Sequence, residues 1–290
     1  MRLLLFCLLL SFPVMGLAQT DDSLKVREDV RFTHYLVTSG QYNDAIYFIN
    51  HLDLNRTSFK SYLDSIYFLK GWAYYSTKTL DSASHYFLLT TPQTSLGVKS
   101  RFFSAYNYIY KRNFAEGDQI LQSMALPDSQ LIELRFLQQA GIALLNRNFS
   151  EFEQIRGNFT DKWYSLSETE GKLNDYYDIL STKRMKSPWI AGAMSMIVPG
   201  SGKIYAGKVG EGISALFSNA ILAGITIENY RKAGPRNFKT IFFGSLFTIF
   251  YCGNVYGSMI SVQVVNNEFN SIYDNKILFD IHIPLRTIFN

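Results

Sequence analysis

The hydrophobic pattern of the chain begins with a short apolar run. Residues 3–17 are mainly apolar, and the small residues Gly16 and Ala18 stand where a signal peptidase cuts. The run is shorter than the roughly 20 residues that span a bilayer, and Pro13 interrupts it, which disfavours the alternative of an uncleaved anchor. We therefore predict a signal peptide over residues 1–18.

A different pattern follows between residues 24 and 182, where apolar positions recur every three or four residues, the spacing of helices that bury one face. A short element that starts with an aromatic residue or leucine recurs at Tyr42, Leu80, Phe114 and Phe149. These positions are 38, 34 and 35 residues apart, a period typical of helix–turn–helix repeats. The pattern predicts about four helical hairpins over residues 24–182 that stack into a solenoid, because a single hairpin cannot bury its apolar face alone.

The second of these repeats resembles the tetratricopeptide repeat. An aromatic residue, a glycine, a tyrosine, an alanine and a second aromatic residue stand at the spacings of that family, at Tyr67, Gly71, Tyr74, Ala83 and Phe87. The other repeats match it more loosely. The resemblance implies the architecture of a helical-repeat domain and names no ligand.

Small residues recur upstream of three of the elements, at Gly71, Ala105 and Gly141. A larger side chain there would hold two helix backbones apart. We expect these residues to let the two helices of a hairpin approach closely.

We expect the repeats to bind a protein partner on the surface that the first helix of each hairpin lines. The candidate contact residues on these helices are Tyr74, Tyr75, Arg101, Tyr106 and Tyr110. The aromatic residues of the second helices are expected to pack between repeats.

The composition changes again near residue 187, where three uncharged stretches begin. They cover residues 187–202, 212–227 and 240–267. At 1.5 Å per residue the last one is long enough for a ~30 Å hydrocarbon core, and the middle one nearly so. We predict an α-helical membrane module over residues 187–265, with the second and third stretches as a hairpin. The first stretch is interrupted at Pro199, so it is either a kinked span or a re-entrant segment.

One motif in this module is specific: Pro199, Gly200, Gly202, Tyr205 and Gly207 form the pattern Pro-Gly-x-Gly-x-x-Tyr-x-Gly. It resembles small bacterial membrane domains that carry this motif at the turn between hydrophobic helices. The resemblance implies a membrane-embedded module without catalytic residues, sometimes joined to helical repeats in envelope proteins of Gram-negative bacteria.

Two pairs of small residues in the later stretches are spaced by four, Ala220 with Gly224 and Gly253 with Gly257. Such pairs let membrane helices come into van der Waals contact. We predict that they form the contact between the second and third stretches.

The loop between these two stretches carries four positive charges, Arg231, Lys232, Arg236 and Lys239. The positive-inside rule places such a loop in the cytoplasm. With a re-entrant first stretch, the repeats and the tail over residues 266–290 are then periplasmic.

The tail has an alternating apolar pattern at Ile277, Phe279, Ile281 and Ile283. A period of two favours a short strand. We assign no function to it.

Charge and composition exclude several functions. The chain has 28 Lys and Arg against 24 Asp and Glu, a balance without the basic surface that nucleic acid requires. Its 4 His and 2 Cys show no ligand spacing, and no nucleophile motif is present, so we expect no metal, no cofactor and no enzymatic activity.

The sequence therefore predicts an all-α protein, a tetratricopeptide-like solenoid followed by a membrane hairpin. We interpret it as a non-enzymatic adaptor or scaffold in the bacterial inner membrane, with membrane lipid and an envelope protein as partners. The alternative is a membrane module that acts in transport or membrane remodelling, with the repeats as its regulator. The oligomeric state stays open.

Overall fold

The computed structural model describes residues 15–160 and 162–289, with side chains from residue 22. Residues 1–14, most of the predicted signal peptide, lie outside the described residues. Within the described part the chain is all-α and has no strand. The helices are α1 (Met15–Thr38), α2 (Tyr42–Asn50), α3 (Leu63–Ser76), α4 (Leu80–Leu88), α5 (Ser95–Tyr110), α6 (Phe114–Ser123), α7 (Ser129–Leu145), α8 (Phe149–Arg156), α9 (Tyr164–Thr182), α10 (Pro188–Ile197), α11 (Ser201–Ala206), α12 (Val209–Ala233) and α13 (Phe238–Phe289), with one 3₁₀ turn at Thr57–Phe59.

The helices form two compact units. The repeat unit contains the described residues up to Tyr177 together with those from Leu278 onward, and the apolar unit is Asp178–Ile277. The repeat unit therefore ends five residues earlier than the predicted repeat domain, at Tyr177, and it also includes the end of α13.

Four hairpins make up most of the repeat unit: α1 with α2, α3 with α4, α5 with α6, and α7 with α8. The second helices begin at the four positions that set the predicted period, which confirms the predicted hairpins. Each hairpin turn holds one residue with positive φ, two positions before the second helix: Gly40 (76°), Lys78 (61°), Arg112 (65°) and Arg147 (58°). The four hairpin turns thus share the same backbone conformation at equivalent positions of the repeat.

The small residues of the first helices differ in what they contact. A Cβ at Gly71 would stand 2.6 Å from the Phe87 ring, so α3 and α4 approach as closely as predicted. A Cβ at Gly117 would stand 3.3 Å from the Ala105 carbonyl, so α5 and α6 also meet at small residues. For Gly141 the prediction is wrong, because this residue faces the end of α13 and not α8.

The predicted strand in the tail is also wrong, since α13 is helical to its last described residue. Leu278, Ile281 and Leu285 are buried, at spacings of three and four, while Phe279 is 66% exposed and Ile283 37%. A strand would bury alternate residues, whereas the observed buried set is one face of a helix. The alternating apolar pattern of the tail is therefore coincidental. The tail is helical because a helix buries Leu278, Ile281 and Leu285 on one face.

After the end of α9, the apolar unit continues with two short helices that fold back on each other. α10 has ten residues and is about 15 Å long, half of a ~30 Å hydrocarbon core. The chain turns after Val198, and α11 returns so closely that a Cβ at Gly202 would stand 2.0 Å from the Ala191 carbonyl oxygen. The first uncharged stretch is therefore two short helices joined by a turn and not one continuous helix.

The two helices that follow are long and apolar enough to cross a membrane. α12 has 25 residues with a mean hydropathy of 1.3, and α13 has 52 with 1.2 in its most apolar window. Only 11% of each window is buried, and large apolar side chains such as Phe217, Ile221 and Ile249 are exposed. These features are compatible with a membrane-associated hairpin.

The predicted contact between spaced small residues is wrong. A Cβ at Gly224 or Gly253 would meet no atom within 4 Å in the described structure, and Ala220 is exposed. A Cβ at Gly257 would meet the Lys203 side chain at 3.7 Å, an ordinary distance. The close backbone approaches of this unit occur instead at the glycines of the Pro-Gly motif.

Candidate functional site

The predicted partner surface of the repeats is occupied by the chain's own C-terminus. We call residues 278–289, the end of α13, the C-terminal segment. It contacts the first helices of successive hairpins through Tyr75 of α3, Tyr106 of α5 and Gln138 of α7. We call the surface of α3, α5, α7 and α9 that contacts this segment the groove.

An apolar face of the C-terminal segment packs into the groove. Leu278, Ile281 and Leu285 are almost completely buried there. A Cβ at Gly141 of α7 would stand 2.8 Å from Ile281 Cγ2 and 3.1 Å from Cδ1, so the isoleucine lies directly on the glycine. The groove therefore has a surface matched to a helix that presents apolar residues at i, i+3 and i+7.

Polar side chains of the groove reach the backbone of the segment. The Tyr106 hydroxyl donates a hydrogen bond to the carbonyl of Leu278 at 3.2 Å, and Gln138 Nε2 donates to that of Ile281 at 2.6 Å. Lys99 Nζ donates to the carbonyl of Phe289 at 2.6 Å. Because these bonds go to the backbone, they recognise a helix at this position more than a particular side chain.

A histidine of the segment lies between two tyrosines of the groove. His282 Nε2 and the Tyr75 hydroxyl are joined by a hydrogen bond of 2.5 Å, and the His282 ring stacks on Tyr106 at 4.5 Å. Burial, and secondarily the charge of Arg286, lowers the pKa of His282 to about 4. Burial raises the pKa of Tyr75 to about 12. Both side chains are therefore neutral at pH 7. A protonated His282 would be unfavourable while the segment is docked in the groove.

The segment also carries one buried carboxylate, Asp280, which α9 neutralises. Tyr176 donates to Asp280 Oδ2 at 2.6 Å, and Lys172 Nζ lies 3.3 Å from Oδ1. A buried carboxylate is costly without such partners. Tyr176 and Lys172 thus give the buried Asp280 carboxylate a hydroxyl donor and a positive charge.

The five residues predicted for the partner surface have different roles. Tyr75 and Tyr106 contact the C-terminal segment, as described, and Tyr110 is an exposed neighbour whose ring lies 6.3 Å from that of Tyr106. Tyr74 stacks on a ring of α4 at 5.5 Å, and Arg101 donates to two backbone carbonyls of the repeats, both at 3.2 Å. The last two therefore support the hairpins and do not line the groove.

Six residues of this contact are not among the residues predicted from the sequence: Lys99, Gln138, Lys172, Tyr176, Asp280 and His282. The last two belong to the tail that was read as a strand. The helical spacing of Leu278, Ile281 and Leu285 was the signal that could have identified them.

A cavity of about 320 Å³ borders the tyrosines that hold His282. Tyr75, Leu80, Tyr106 and Tyr110 are among its lining residues. The groove thus has open, mainly apolar space next to the docked segment.

The Pro-Gly motif of the apolar unit is held by its backbone. Gly200 has a φ of 90°, and a Cβ there would stand 2.0 Å from the Gly212 carbonyl oxygen. The Gly202 N–H donates to Ser195 Oγ at 2.9 Å, and that hydroxyl is 2.7 Å from Ser258 Oγ of α13. These glycines let α10, α11 and α12 pack at backbone distance.

The rest of the motif fixes the end of α11. Pro199 lies in the turn before it, and Gly207 ends it with a φ of 97°. The Tyr205 hydroxyl accepts a hydrogen bond from the Ser187 N–H at 3.3 Å, and Lys186 Nζ donates to the Tyr205 carbonyl at 2.7 Å. These contacts give the motif a structural role.

No protein-family model, curated protein or solved structure matches this chain.

Proposed function

We propose that this protein is a non-enzymatic, membrane-anchored adaptor or scaffold of the bacterial cell envelope, whose repeats bind a partner protein in the groove. The observation that carries this proposal is the docking of the C-terminal segment as an amphipathic helix. A surface that holds one helix through apolar residues and backbone hydrogen bonds has the chemistry for binding another in the same way. The tetratricopeptide-like pattern of the sequence supports the same mode of binding.

The groove defines the chemistry of the partner. We expect an amphipathic helix with apolar residues at i, i+3 and i+7, matching Leu278, Ile281 and Leu285. An acidic residue at i+2 would meet Lys172, as Asp280 does. Because both helices need the same surface, the partner exchanges with the C-terminal segment.

The hairpin of α12 and α13 is the proposed anchor in the inner membrane, with lipid around its exposed apolar faces. The basic loop, with Arg231, Lys232, Arg236 and Lys239, favours a cytoplasmic position. Both ends of a hairpin lie on the side opposite its loop, which supports a periplasmic repeat unit. The predicted signal peptide agrees with that orientation.

Site-specific photocrosslinking in native membranes tests the adaptor. A photoreactive residue replaces Tyr110 beside the groove, and as a matched control replaces Tyr47, an exposed tyrosine of α2. We expect a discrete crosslinked protein at position 110 and none at position 47. The same products at both positions, or none at position 110, would contradict the proposal.

The orientation is tested separately by proteolysis of intact spheroplasts. We expect the repeat unit to be digested together with a periplasmic control protein. Survival of the repeats while that control is digested would show that the orientation is wrong.

A further inference from the structure

The apolar unit contains a polar cleft that neither the anchor nor the groove uses. It has a volume of about 430 Å³ and lies among α11, α12 and α13. Its polar lining residues are Lys203, Glu211, Ser214, Ser218, Asn219 and Asn254. So many polar groups are unusual between two helices that are otherwise apolar.

Two asparagines of the cleft are buried with unused hydrogen-bonding atoms. Asn254 is 5% exposed, and within the described structure neither its Oδ1 nor its Nδ2 has a partner. Asn219 is 3% exposed; its Nδ2 donates to the Ala215 carbonyl at 2.8 Å, but its Oδ1 has no partner. Each such atom costs about 1–3 kcal/mol. The cleft therefore has free donors and acceptors that a ligand would satisfy.

The charges of the cleft favour an anion. Glu211 is neutralised by Lys208, whose Nζ lies 3.4 Å from its Oε1. Lys203, by contrast, has no acidic partner in the part of the chain that the structure describes, and its stem runs along α13 beside Gly257. An ammonium group together with hydroxyl and amide donors is a combination that binds phosphate.

We propose that this cleft binds a phosphate group, carried by the headgroup of a phospholipid. Lys203 neutralises the phosphate, and Asn254 Nδ2 and the serine hydroxyls of α12 donate hydrogen bonds to its oxygens. The free amide oxygens accept from a hydroxyl or ammonium group of the headgroup. Phe217 of α12 and Ile249 of α13 are exposed and provide an apolar surface for the acyl chains.

The proposal relies on the membrane placement proposed above and is independent of the adaptor role. Native mass spectrometry of the full-length protein in mild detergent tests it, with phosphatidylglycerol as the probe lipid. The variants are Lys203→Gln, which removes the charge, and Asn254→Leu, which removes the buried amide. The control is Lys232→Gln, an exposed lysine that pairs with Glu228 near the other end of α12. Carbonate extraction of membranes checks the insertion of each variant.

We expect the wild type and Lys232→Gln to retain one phospholipid per chain. Lys203→Gln should lower this occupancy about tenfold, the effect of losing one charge-assisted hydrogen bond. Asn254→Leu adds apolar character, so it should insert normally and still lose lipid. Equal lipid occupancy in all four proteins would overturn the lipid assignment.

A second arm distinguishes the source of the phosphate. Delipidated protein is titrated with inorganic phosphate and followed by ³¹P resonance broadening. Binding that Lys203→Gln abolishes, with unchanged lipid occupancy, would assign the site to free phosphate. If neither probe responds to the variants, and Asn254→Leu only raises the unfolding temperature, the cleft holds no phosphate and the proposal is wrong.

Discussion

Replacing Gly141 by alanine tests whether the C-terminal segment is docked as described. The new Cβ would stand 2.8 Å from Ile281 Cγ2, closer than unbonded carbon atoms pack. Because Ile281 is completely buried, it cannot swing away into solvent. Gly171 of α9 offers a matched control, since a Cβ at this helical position meets nothing within 4 Å.

Two opposing effects set the expected magnitude. Alanine stabilises a helix interior by about 1 kcal/mol relative to glycine, which should be the whole effect of Gly171→Ala. Overpacking costs about 1–3 kcal/mol, so Gly141→Ala should be destabilising by roughly 0–2 kcal/mol. When Ile281→Ala has already removed the overlapping atoms, Gly141→Ala should instead be stabilising by about 1 kcal/mol.

Thermal unfolding of the full-length protein in detergent measures these differences. One kcal/mol corresponds to a shift of about 2–4 °C for a unit of this size. The unfolding temperature should rise for Gly171→Ala, stay or fall for Gly141→Ala, and rise when Gly141→Ala is added to Ile281→Ala. If Gly141→Ala alone stabilises as much as Gly171→Ala, then Ile281 does not lie on Gly141 and the docking is wrong.

Two further predictions concern the turn motif and the buried histidine. Gly202→Ala places a Cβ 2.0 Å from the Ala191 carbonyl oxygen and should abolish proper folding of the apolar unit, whereas Gly210→Ala meets nothing within 4 Å and should be tolerated; protease resistance in membranes compares them. Because burial lowers the pKa of His282 to about 4, the undocked imidazole binds protons that the docked one does not, so stability should fall as the pH drops from about 6.5 towards 4. The slope of unfolding temperature against pH should decrease in His282→Phe but not in the exposed control His51→Gln, and an unchanged slope in His282→Phe would refute the assignment.

The helical hairpins could be predicted because their information is local and repeated. A turn residue with positive φ, such as Lys78 or Arg112, precedes each second helix by two positions, and the chain repeats this unit at a recognisable period. The tail could not be assigned in this way. In a segment rich in apolar residues, both alternate residues and residues three or four apart are apolar. Only its contact with the groove, whose residues lie more than a hundred positions earlier in the chain, selects the helical set.

The candidate groove was predicted in part. Tyr75 and Tyr106, two of the residues predicted on the first helices, contact the C-terminal segment. Arg101 does not, because the residue type alone does not show which face of its helix a side chain occupies. The predicted helix contact at Gly224 and Gly253 is wrong for a similar reason. The spacing of small residues shows that a helix could pack closely there, but the close backbone contacts of the apolar unit occur at the turns beside α11.

The most direct test of the central claim is whether the groove binds a helix in competition with the C-terminal segment. Ile281→Asp with Leu285→Asp should release the segment in the full-length protein, while Phe279→Asp with Ile283→Asp changes its more exposed face and serves as the control. A fluorescent peptide with the sequence of residues 276–289 is titrated against both in detergent. We predict at least about tenfold tighter apparent binding to the released protein, because the docked segment occupies the groove in the control. Equal affinity for both proteins, or no binding to the released one, would contradict the account.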